Sequence, residues 1–139
     1  MKRILLGTLL YTVATFATQA TSHFGINRAH YAAVGFLRPE PIFALGFASM
    51  LLQGAVLTHL YGRYTRENSG WRQGWKFALL AGTLIVSYEA LAEPAKYPVP
   101  SVVSWMLVEA AAGFVQFSLF GLALGWALRR PEHALPAAS

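Results

Sequence analysis

Four long apolar runs organise this chain, and the segments between them are short. The first, residues 4–20, follows directly on Lys2 and Arg3. Its 17 residues would rise about 25 Å as a helix, the short end of what a hydrocarbon core requires. The second, residues 41–60, is preceded by Pro39 and opened by Pro41, whose fixed backbone angles suit a helix start, and it carries only His59 near its far end. The third, residues 75–91, has Lys76 at one end and Glu89 at the other and is expected to stop before Pro94. The fourth, residues 102–128, is long enough to span with tilt despite Glu109 and Gln116. The pattern predicts an all-α fold, a membrane-embedded four-helix bundle forming one domain over residues 1–130. A short flexible tail, residues 131–139, is expected to follow.

Composition agrees with lipid as part of the solvent. Hydrophobic residues make up 55% of the chain and charged residues 12%, against roughly 25% charge in an ordinary soluble domain. A soluble fold of 139 residues could not bury that much apolar surface. The net charge of +5 would point to nucleic acid in a soluble protein. Here the cations flank apolar spans, so membrane lipids are the expected partners and nucleic acid is not. With no cysteine, disulfides and thiolate metal sites are excluded.

The flanking cations orient the spans. Lys2, Arg3, Arg63, Arg66, Arg72, Lys76, Arg129 and Arg130 lie on one side, and Arg28, Arg38 and Lys96 on the other. The positive-inside rule then puts both termini in the cytoplasm. Trp71, Trp75, Trp126, Tyr61 and Tyr64 collect at the cytoplasmic interface, and Trp105 and Tyr97 at the outer one. The first run also resembles a signal peptide, with Lys2 and Arg3 ahead of it and small residues from Thr18 to Ala20. Thr8, Thr12 and Thr15 nevertheless recur on one helical face and suit bonds to neighbouring helices, so a retained helix is expected.

Glu109 carries the most chemical information. It lies about 10 Å inside the fourth span, where a carboxylate normally faces protein, a partner charge or a wet cavity. Glu89 and Glu93 share a helical face at the same end of the third span. His23, Arg28, His30, Arg38 and Lys96, in the outer loops, offer counter-charges. These residues define a candidate polar or binding site of Glu109, Glu89, Gln116, Gln53, His23 and His30. Gln53 and Gln116 each need a partner in hydrocarbon, and a bond between them is expected. The bland alternative holds Glu109 by one or two hydrogen bonds and leaves Glu89 among headgroups. His23 and His30 match no short metal-ligand signature, so no metal or other cofactor is expected. Gly74, Ala78 and Gly82, then Gly113, Gly121 and Gly125, form small-residue stripes that suit close packing within the chain. The segment from His23 to Arg38 is expected to lie along the membrane surface with its aromatic side chains.

No phosphate-binding loop, His-Glu-x-x-His or Gly-x-Ser-x-Gly motif is present. The stretch from Arg38 through Gln53-Gly54, the segment Gly74-Trp-Lys-Phe-Ala, and Phe114-Val-Gln-Phe-Ser-Leu-Phe-Gly-Leu-Ala-Leu-Gly resemble a group of small bacterial four-span membrane proteins of uncharacterised function. The likeness covers residues 1 to about 129. It implies the bacterial cytoplasmic (inner) membrane and a retained first helix, and it brings no catalytic residue. Glu109 departs from that pattern, which has a less acidic residue there. Three functions follow as expectations. A non-enzymatic accessory or structural membrane component, as a homo-oligomer or within a larger complex, stands first. A small-solute carrier or channel working as an oligomer, with a polar site around Glu109, is the next. The last is a membrane-embedded enzyme using Glu109 and the outer histidines.

Overall fold

The computed structural model describes residues 1–38, 40–65 and 69–129. The expectations for Pro39, Arg66, Arg130 and the tail lie outside them. Four helical stretches among the described residues are long and apolar enough to cross a membrane: Lys2–Ile26, Phe43–Tyr64, Trp71–Lys96 and Val102–Ala127. The first combines α1 (Lys2–Ala20) with a π-helical turn, Thr21–Ile26, and leads into the short α2 (Arg28–Ala32). Next come α3 (Phe43–Tyr64) and α4 (Trp71–Ser87). A second π turn, Tyr88–Ala92, joins α4 to α5 (Glu93–Lys96), and α6 (Val102–Ala127) follows.

Three boundaries correct the sequence reading. Residue Pro41 stands ahead of α3 rather than within its first turn, because Ile42, at ψ 83°, is not yet helical. The third helix begins at Trp71, after extended Gly70, which adds a turn to the predicted span. It also runs past Pro94. That proline falls in the first turn of α5, where its missing N–H breaks no helical bond, and the π turn ahead of it loosens the ladder.

Packing is uneven around the bundle. Helices α4 and α6 share the broadest contact, α1 packs on α3 and α6, and α3 touches α4 only slightly. The glycine stripes explain the tightest pair. A Cβ added to Gly121 would stand 2.6 Å from the Ala78 methyl carbon, and one on Gly125 would stand 2.6 Å from the Gly70 carbonyl oxygen. Only hydrogen side chains permit that approach, so these stripes serve contact within the chain. Next to them Tyr11, Leu57, Tyr61, Phe117, Phe120 and Leu124 form the main core. Tyr61 is thus a core residue and not an interfacial one, 1% exposed, with its ring 5.3 Å from that of Phe77.

The outside is as apolar as the inside. Leu84 is 76% exposed, Leu52 68% and Leu107 66%, on three different helices. In the His23–Arg38 segment Phe24, Phe36 and Leu37 stay exposed, but not every apolar side chain does. Tyr31 and Val34 turn inward and bury themselves with Trp105, capping the end of the bundle where α6 begins. Trp105 is therefore internal as well, and its indole N–H donates to the Glu89 carbonyl oxygen at 3.0 Å.

Candidate functional site

At the end where α6 begins, the four long helices leave a cavity of about 390 Å³. α3 and α4 are held together near their shared loop by Tyr61 and Tyr64 against Phe77 and otherwise touch little, and residues of both line the cavity. Both π turns contribute to its lining, one through His23 and the other through Glu89. Such turns displace backbone groups and side chains from the α-helical register and recur at functional sites.

Glu109, buried on α6, is the innermost of the carboxylates lining the cavity; Glu89 and Glu93 reach it from the α4 side. The partner of Glu109 is not one of the expected cations. It is the Tyr31 hydroxyl, which donates to Glu109 Oε1 at 2.7 Å. Since that hydroxyl has a single hydrogen, Ser22 Oγ must donate to the Tyr31 oxygen, at 3.4 Å, and Asn27 Nδ2 in turn donates to Ser22 Oγ at 2.9 Å. Burial raises the Tyr31 phenol above its ordinary pKa and keeps it a donor. His23 stacks on the same ring, centroids 3.6 Å apart and planes 9° apart.

A second network forms the cavity floor. The expected Gln53–Gln116 contact is bridged by a residue that the sequence reading passed over. Tyr11, fully buried, donates its hydroxyl hydrogen to Gln53 Oε1 at 2.5 Å and accepts from Gln116 Nε2 at 3.5 Å. Gln19 Nε2 donates to Gln116 Oε1 at 2.9 Å, and Gln53 Nε2 to Ser49 Oγ at 3.2 Å. Three helices are tied together by amides and one phenol. Below the Tyr11 ring the interior is packed solid by Phe117 and Phe120, whose centroids lie 6.1 and 5.0 Å from it.

The other candidates separate. His23 lines the cavity, whereas His30 turns aside to Ser104, with Nδ1 3.3 Å from Oγ, and packs on Trp105. Among the described residues no three His, Asp or Glu side chains are arranged to hold a metal ion. The threonine stripe of α1 is used only in part: Thr12 donates to the Thr8 carbonyl of its own helix, while Thr15 is buried against the cavity. Arg28 and Arg38 stay exposed in an outer groove of about 810 Å³, which shares His23, Tyr31 and Leu37 with the cavity. Tyr31, Tyr11 and Gln19 were missed from sequence. Tyr31 and Glu109 lie 78 residues apart, and Tyr11 reads as one more apolar position.

Chemically, the cavity can bind and orient a polar solute. Its described lining presents carboxylates, amides and phenols. No protein-family model matches the chain, and no curated protein or solved structure is significantly similar to it.

Proposed function

We propose that this chain is a multi-pass protein of the bacterial cytoplasmic membrane, with both termini in the cytoplasm, that acts as a non-enzymatic binding component. Its pocket opens to the outer face and takes a small polar solute. The observation that carries this reading is the one-ended cavity, polar where α6 begins and stopped by Tyr11, Phe117 and Phe120. Leucines exposed on several helices support lipid as the surrounding solvent, since a water-soluble surface rarely presents so broad an apolar area. The excess of cations at the other end of the bundle supports the orientation.

A carrier is the second reading, favoured by the slight contact between α3 and α4, the seam along which a path through the packed half would have to open. In the state described here that half is closed.

Reporter fusions after Gly70 and after Lys96 test the orientation, with cytoplasmic and external readings expected; the reverse would overturn it. The pocket is tested by Gly46→Cys. The chain has no cysteine of its own, and nothing lies within 4 Å of a Cβ placed at Gly46, which lines the cavity. A membrane-impermeant maleimide should label this thiol in intact cells. Absence of labelling, with the protein present and folded, would overturn the pocket.

A further inference from the structure

The far end of the bundle holds a pocket of the opposite charge. It measures about 250 Å³ and lies between the start of α1, the last turns of α3 and the end of α6. Sites for drug-sized ligands run to roughly 300–1,000 Å³, so this one suits a small group. Arg3 lines it from α1, His59 and Arg63 from α3, and among the described lining residues there is no carboxylate. Two features go beyond the general excess of cations that orients a membrane protein. Arg3 is held in place, because Nη2 donates to the Leu128 carbonyl oxygen at 2.9 Å, and the planar fork keeps further N–H donors at the pocket. His59 and Arg63 stand one turn apart on α3, where like charges repel and a bound anion turns repulsion into attraction. The threonine hydroxyls are already committed: Thr58 Oγ1 and Thr65 Oγ1 donate to the Gly54 and Tyr61 carbonyl oxygens, at 2.7 and 2.9 Å. Recognition therefore rests on the cations.

We infer that this pocket binds a phosphate group, held by the Arg3 and Arg63 guanidinium groups with His59 beside them. Guanidinium forks match phosphate oxygens in charge and in spacing, and basic pockets between membrane helices hold phosphate headgroups. Two sources share that chemistry, an anionic phospholipid and free phosphate. The surface beside the pocket favours the lipid. Leu52, Val56 and Leu60, all exposed, recur every fourth residue on α3 and lead to Arg63 on the same face, and exposed Ile4 of α1 stands in the pocket wall. Hydrocarbon chains along that strip would bring their phosphate to the cations. The inference goes beyond the solute pocket proposed above and does not depend on it.

The test uses the full chain in a neutral detergent, with native mass spectrometry counting bound lipid. Dioleoylphosphatidylglycerol should bind saturably, one copy per chain. It should bind at least tenfold more tightly than dioleoylglycerol, which has the same chains and no phosphate. Arg3→Gln and Arg63→Gln should each weaken it about tenfold. Arg63 is exposed, so Arg63→Gln keeps the test open if loss of the Arg3 contact with Leu128 prevents folding. Arg72→Gln, at the same end of the bundle but outside the pocket and packed over the Trp71 ring, should leave binding unchanged. Inorganic phosphate that raises the unfolding temperature in an Arg63-dependent way, where the lipid does not bind, would assign the free ion and also support the inference. Equal binding of the two lipids, an equal loss with Arg72→Gln, or no response to either phosphatidylglycerol or phosphate would overturn it. None of these outcomes bears on the pocket beside Glu109, which labelling at position 46 tests separately.

Discussion

The two ends of this bundle solve the same packing problem in opposite ways. Towards the α3–α4 loop, glycines let α4 and α6 approach until backbone meets backbone, and aromatic rings fill what remains. Towards the start of α6, two helices widen into π turns, and hydrogen-bonded polar groups replace close contact. In the proposed lipid setting no hydrophobic drive holds helices together, and small-residue contact and buried hydrogen bonds are the two available adhesives. One end uses mainly the first and keeps a smaller pocket, of about 250 Å³, beside Tyr61. The other uses the second and keeps a cavity.

That contrast yields a graded set of substitutions. Gly121→Leu should have the largest effect, since the added side chain has nowhere to go; overpacking costs about 3 kcal/mol here, read as a fall in thermal unfolding temperature in detergent. An unchanged temperature would mean that the α4–α6 contact is looser than its geometry. Tyr31→Phe comes next. It leaves the buried Glu109 without its hydroxyl donor, at about 1–3 kcal/mol, and denaturant unfolding should report the loss. Tyr11→Phe keeps the ring and cuts the bridge between Gln53 and Gln116, for about 1 kcal/mol. A loss as large as that of Gly121→Leu would show that the floor network, not glycine packing, dominates. Gly46→Ala should be the mildest, neutral or stabilising by up to about 1 kcal/mol, because an added methyl meets open space and alanine favours a helix.

Much of this was legible in the sequence. The apolar runs marked four long helices, because burial in lipid or protein leaves a contiguous signature, and the small-residue stripes marked where α4 and α6 touch. Glu109 stood out because a carboxylate in an apolar run requires a partner. What the sequence hid was the partner. A side chain 78 residues away is chosen by tertiary folding, and nothing local distinguishes Tyr31 from other aromatic residues of a surface-seeking segment. The same holds for Tyr11, whose hydroxyl serves as an acceptor as well as a donor. The π turns were illegible for another reason. They carry no composition of their own, and Pro94 read as a stop when the turn before it lets the helix continue.

The difference between the two ends is tested most directly along α3, which runs through both. Cysteine placed singly at Gly46, Ser49 and Leu57 can be exposed to an impermeant maleimide on either side of sealed membrane vesicles. Gly46 and Ser49 line the cavity, whereas Leu57 is 6% exposed in the core. Positions 46 and 49 should label from the outer side alone, and 57 from neither. Labelling of 57 at a comparable rate, or of 46 and 49 from the cytoplasmic side, would contradict a pocket that is open at one end and sealed at the other.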